Sequence, residues 1–153
     1  SSNKSEATSQ KQGGFYMKRN MKQWVTDYIN APAKKGMPIL SFPGNSLLDY
    51  TVEELVESGE LQAQCMKAFA DRFDTGVAFS LMDLSVEAEA FGAPVHYSED
   101  EVPTVHGTLI NDEDEAEALK VPKVGDGRTG ECVEGIRRAC ELYLQTDRFL
   151  QEL

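Results

Sequence analysis

Three carboxylates, Asp83, Glu87 and Glu89, fall within seven residues in the stretch Met82-Asp-Leu-Ser-Val-Glu-Ala-Glu-Ala-Phe-Gly-Ala-Pro-Val95. Directly before them stands a short apolar run, Gly76-Val77-Ala78-Phe79-Ser80, with the composition of a buried strand. Carboxylates just past the carboxyl end of a buried parallel strand are where α/β enzymes keep their chemistry. Asp83 follows that strand end most closely and is the candidate site residue, with Glu87 a weaker neighbour. Glu89 reads instead as a solvated residue on a short amphipathic helix that stops at Gly92.

Other chemistries lack their parts. The only histidines are His96 and His106, and no serine stands in a G-x-S-x-G elbow, so a hydrolase triad is missing. Gly125-x-Gly127-x-x-Gly130 has the spacing of a dinucleotide loop, but no apolar strand precedes it, which makes the spacing a coincidence. Zinc needs three or four converging ligands. Two histidines in a loop and cysteines spread over helices (Cys65, Cys132, Cys140) do not supply them. Asp112-x-Asp114 lacks the glycine and terminal glutamate of a calcium loop.

Bulk properties narrow the partners. The 153 residues carry 26 acidic against 15 basic side chains, a net charge of −11. A surface for nucleic acid or anionic membrane needs the opposite sign, so neither is expected. No apolar run approaches the roughly 18 residues of a membrane span. Three widely spaced cysteines do not make a disulfide framework, and a reducing cytoplasm is the expected compartment.

The elements that must position the carboxylates follow from periodicity. Residues 1–14 hold no large apolar side chain and read as a flexible leader, leaving 15–153 as one domain. Met17, Met21, Trp24, Val25 and Tyr28 define the core face of a helix over 15–29, with Asn30-Ala31-Pro32 ending it. Met37 to Phe42 reads as strand one, buried on both faces. Its carboxyl end delivers Pro43-Gly44-Asn45-Ser46, which makes Asn45 a candidate substrate-binding group beside Asp83 and Glu87. Thr51 and Glu54 form a capping box for a helix to about Glu57. A second helix runs from Glu60 to Phe73 with Leu61, Cys65, Ala68, Phe69 and Phe73 inward. Strand two is Gly76 to Ser80, and the helical crossover between the strands is long enough for a parallel pair.

Beyond Val95 the pattern weakens. Thr104 to Ile110 reads as a short edge strand, and the acidic run 112–115 as the amino end of a helix reaching Leu119. Residues 121–128 are loop, and Thr129 caps a last helix to about Thr146 with Val133, Ile136, Cys140, Tyr143 and Leu144 buried. The tail, 147–153, has no strand signal.

Residues 82–95, with Pro38-Ile39 through Phe42-Pro43-Gly44 before them and Val121-Pro-Lys-Val-Gly-Asp-Gly-Arg-Thr-Gly130 after, resemble the uroporphyrinogen decarboxylase superfamily. The likeness spans about Met21 to Leu144 and is closest to the corrinoid-dependent branch, the methylcobalamin:coenzyme M methyltransferases. The resemblance implies an α/β fold, the amino-terminal part of a (β/α)8 TIM-type barrel that is incomplete in this chain, since a full barrel takes about 250 residues. It places Asp83 where the decarboxylases hold the pyrrole N–H groups of their substrate. Those enzymes also carry arginines after strand one to meet substrate carboxylates, and Pro43-Gly44-Asn45-Ser46 has none. That departure favours the methyltransferase branch. There, zinc activates a thiol that takes a methyl group from cobalt, the metal being held by a His-x-Cys pair and a later cysteine in the second half of the barrel. No cofactor is expected within this chain; zinc and a corrinoid are implied for a full-length protein. The implied partners are a corrinoid protein or methylcobalamin and a small thiol. A tetrapyrrole decarboxylase is the alternative enzyme. A non-catalytic fragment or module, forming homo-oligomers through an open barrel edge, is the alternative outside catalysis.

Overall fold

The structure is a computed structural model that describes residues 20–39 and 42–144. The chain divides into two compact units, Ser1–Lys34 with Thr146–Leu153, and Lys35–Gln145. The expected leader, Met17, the end of strand one at Leu40-Ser41, the side chain of Leu144 and the tail lie outside the described residues.

In the first unit, helix α1 spans Met21–Asn30. Asn20 starts it, its Oδ1 accepting the Gln23 N–H at 3.2 Å. The helical period is as expected, but its burial is not: no residue of α1 is buried, and Met21 and Val25 are exposed. Trp24 stacks at a tilt on Tyr28, ring centroids 5.4 Å apart, rather than entering a core. Among the described residues of this unit α1 is the one helix, and a helix buries its stripe only against a second layer.

The second unit begins with the extended segment 35–39. A 3-10 turn, Phe42–Gly44, then leads into α2 (Asn45–Leu48), followed by α3 (Val52–Val56) and α4 (Gly59–Phe73). The capping box forms: Thr51 Oγ1 accepts the Glu54 N–H at 3.1 Å, and Glu54 Oε2 accepts the Thr51 N–H at 2.9 Å. Next come α5 (Val86–Ala90), β1 (Val95–His96), β2 (Thr104–Val105), α6 (Glu113–Ala118) and α7 (Thr129–Leu144). The acidic run does start α6, with Asp112 Oδ1 accepting the Glu115 N–H at 2.8 Å.

Helices α4 and α7 form the main packing pair. They touch where both lack side chains: a Cβ on Gly59 would stand 2.6 Å from the Glu131 carbonyl oxygen, and one on Gly135 would stand 2.9 Å from Gln62 Oε1. Glu131 Oε2 accepts the Gly59 N–H at 2.7 Å and so caps the amino end of α4. Ala63, Met66 and Ala139 fill the core between them, with Leu81, Leu142 and Tyr143 around it. The Tyr143 hydroxyl donates to the Met66 carbonyl at 3.0 Å.

This pairing corrects the expected inner face of α7. Val133, Ile136 and Cys140 are exposed, and Gly135 and Ala139 are buried instead. Close helix approach selects the small residues, and the branched ones are turned away. On α4 the reading holds for Cys65 and Phe69 and fails for Phe73, which is exposed.

Neither expected parallel strand forms among the described residues. Among the described residues, segments 36–39 and 76–80 meet where the Gly76 N–H donates to the Gly36 carbonyl at 2.9 Å, beside a Lys35–Asp74 ion pair at 3.0 Å. Met37, Ile39 and Phe79 are exposed rather than buried. The sheet that does form is antiparallel, β1 against β2, with Val95 opposite Val105 and His96 opposite Thr104. Thr104-Val105 thus confirms the start of the expected edge strand, while Gly107 to Leu109 leave it. The second unit is helix-rich with a small sheet, an arrangement compatible with part of an α/β fold. No helix among the described residues is long and apolar enough to cross a membrane.

Candidate functional site

Asp83 stands in the turn that enters α5, and its Oδ1 accepts from the Ser85 N–H at 2.9 Å and the Ser85 hydroxyl at 2.6 Å. Such an Asx turn is what a short polar side chain makes with the backbone two residues on. Its other oxygen accepts from Arg128 Nη1. Arg128 Nη2 donates to Ser85 Oγ at 2.8 Å, which closes a ring of three side chains. Nε of the same guanidinium donates to Glu89 Oε2 at 2.6 Å, and Tyr97 donates its hydroxyl to Glu89 Oε1. The guanidinium carbon lies 5.0 Å from the centre of the Tyr97 ring, a cation–π distance.

The group is buried: the side chains of Arg128 and Asp83 are 8% and 4% exposed, and Ser85 is 2% exposed. Glu89, at 27%, is its outer edge. Burial alone would lower the Arg128 pKa, but the hydrogen bonds and charges of Asp83 and Glu89 outweigh it and hold the guanidinium above its usual range. Tyr97 is pushed up to about 12, first by burial and then by its bond to Glu89. It is a proton donor throughout the neutral range.

Local sequence explains the placement. Gly92 at φ +101° follows α5 and lets the Ala93 N–H reach the Ala88 carbonyl at 2.9 Å, ending the helix and turning the chain toward β1 and Tyr97. The 121–128 loop turns through Gly125 and Gly127, both at positive φ, and delivers Arg128 one residue before α7.

Of the expected site residues, Asp83 lies at the centre of this cluster. Glu87 is exposed on α5, where its charge helps keep the Cys132 thiol protonated; burial is the larger cause, followed by Asp83. Asn45 is used locally, its Nδ2 donating to the Tyr50 carbonyl at 3.3 Å and its Oδ1 accepting from Ser46. No hydrogen bond or ion pair joins Asn45 to Asp83 among the described residues. Glu89, expected to be solvated, is instead ion-paired. Arg128, Ser85 and Tyr97 were not anticipated as members; the signal for Arg128 was a glycine-rich turn ending in a cation just before a helix.

Arg128 lies in the stretch 121–130, and Asp83 and Glu89 lie in 82–95. The family described as uroporphyrinogen decarboxylase (URO-D) matches residues 43–147, a span that contains both stretches. The chain belongs to the uroporphyrinogen decarboxylase family. No curated protein and no solved structure matches it.

Among the described residues no group of three or more His, Cys, Asp or Glu side chains could hold a metal ion. Burial pushes the Cys65 thiol up to about 11 and raises that of Cys132, which makes neither a ready nucleophile.

Proposed function

We propose that the chain is the amino-terminal portion of a corrinoid-dependent methyltransferase of this family, one that moves a methyl group from methylcobalamin to a small thiol. One observation carries the reading: both oxygens of Asp83 are already occupied by groups of the chain itself, Arg128 on one side and Ser85 on the other. A carboxylate that gathers pyrrole N–H groups must face the substrate, whereas the Asp83 side chain is 4% exposed and turned to Arg128 and Ser85. The turn after residue 42 supports the same choice. Gly44 is pressed against Cys65, where a Cβ would stand 2.7 Å from the carbonyl oxygen, and Asn45 and Ser46 follow it with no arginine for a substrate carboxylate.

In this reading the Arg128 cluster is a wall element. It fixes the turn at residues 82–85 and the start of α7 to each other, and the donors for zinc come from elsewhere in the protein. A homo-oligomer through an open barrel edge belongs to the non-catalytic alternative.

The deciding assay offers the natively expressed protein methylcobalamin with a small thiol and, separately, a porphyrinogen. Thiol methylation without decarboxylation is the expected result. Decarboxylation of the porphyrinogen would overturn the methyltransferase assignment. Robust methyl transfer by the 153-residue chain alone would overturn the placement of the zinc donors outside it.

A further inference from the structure

The chain has only two histidines, and the fold brings them together on one hairpin. His96 ends β1 opposite Thr104, and His106 follows β2, its N–H donating to the Pro94 carbonyl at 2.9 Å. The two are therefore diagonal neighbours on one face of the antiparallel pair. Their ring centroids are 5.4 Å apart and the rings are steeply inclined, at 79°. Both side chains are exposed.

We propose that His96 and His106 form a two-imidazole site for a late first-row divalent cation such as Ni2+ or Zn2+. The spacing is the argument. With metal–nitrogen bonds of about 2.0–2.1 Å, two imidazoles on one ion have ring centroids about 4.5 Å apart at a right angle and about 5.2 Å apart at the tetrahedral angle. The observed separation exceeds the tetrahedral value by a few tenths of an ångström, within reach of side-chain rotation on a fixed backbone. A ring can twist about its metal–nitrogen bond, so steep inclination is compatible with chelation. Thr104 Oγ1 lies 3.2 Å from His106 Nε2, which holds that ring and leaves Nδ1 as its ligating atom. No third protein donor joins the pair among the described residues. The remaining coordination positions would be filled by water or a bound anion. The hairpin loop carries Glu99, Asp100 and Glu101, whose field concentrates cations at this end of the molecule. Neither histidine stands in a His-x-Cys pair, since Ser98 and Thr108 occupy those positions. The inference does not depend on the methyltransferase reading.

Ni2+ is the suitable probe because it prefers imidazole, whereas thiolates draw zinc. Titration of the chain with Ni2+ is followed through the imidazole proton resonances, of which there are two sets. Both sets should broaden together and saturate at one equivalent. His96→Gln and His106→Gln should each weaken binding about tenfold or more. Both positions are exposed, so far-ultraviolet circular dichroism of the variants should match the parent. Independent broadening of the two rings, an affinity unchanged in either folded variant, or no saturable binding would overturn the site.

Discussion

Arg128 and Asp83 carry charge and are buried, whereas Met37 and Ile39 are apolar and face solvent. The two regions belong to the same unit and invert the usual expectation for their residue types. The difference lies in what each can reach. Arg128 has five donors in a rigid fork, and three of its nitrogens find acceptors on Asp83, Ser85 and Glu89. Segment 36–39 has apolar side chains, and among the described residues its backbone is joined to Gly76. Burying such a segment costs roughly 1–3 kcal/mol for each backbone group left unsatisfied. Hydropathy alone does not decide which region is inside.

The strongest way to break this comparison is Arg128→Ala. It leaves Asp83 buried and unpaired, and removing one partner of a buried pair typically costs about 3–5 kcal/mol. The drop should appear as a lower midpoint in urea with little change in slope. Adding Asp83→Asn to Arg128→Ala should recover part of the loss, because the second change removes the orphaned charge. A cost below about 1 kcal/mol for Arg128→Ala would put the cluster in the class of surface ion pairs and undo the contrast.

A smaller effect is expected where α4 and α7 cross. Gly59→Ala sets a methyl group against backbone atoms of α7, the nearest at 2.6 Å, so something in the main chain must move. Overpacking of this kind costs about 1–3 kcal/mol, partly offset by alanine's better helix propensity. It also shifts Glu131 relative to the Gly59 N–H that it caps, so slower amide exchange at Gly59 is not expected and faster exchange is. A neutral Gly59→Ala would mean that the two helices slide apart easily, and that their small residues are incidental.

Features written in neighbouring residues could be read before the structure. Thr51 and Glu54 announce their capping box three residues apart, and the acidic run 112–115 announces the start of α6. The inner face of α7 was not legible, because hydropathy points to Val133 and Ile136 while helix approach selects Gly135 and Ala139. Asp83 stands out by its position after an apolar run, but that position does not say whether it faces a substrate or a partner in the chain. Its partner Arg128, 45 residues away, was not legible, since no local pattern links a turn before one helix to the loop before another. Glu89 was misplaced for the same reason: a glutamate on a short helix looks solvated until the cation that claims it is known.

The smallest effect tests the other side of the comparison. Ile39 was expected inside a strand buried on both faces, where a change to threonine would bury a hydroxyl in an apolar layer and cost several times RT. In the structure Ile39 is 53% exposed, and Ile39→Thr should leave the unfolding free energy in urea within about 0.5 kcal/mol of the parent. Concentration sharpens the result. If segment 36–39 is where a second copy or further strands pair, Ile39→Thr should be neutral in dilute protein and destabilising once association is populated, because pairing makes apparent stability concentration-dependent. A loss of more than 1 kcal/mol in dilute monomer would show that Ile39 is buried in solution and would undo the contrast with the Arg128 cluster.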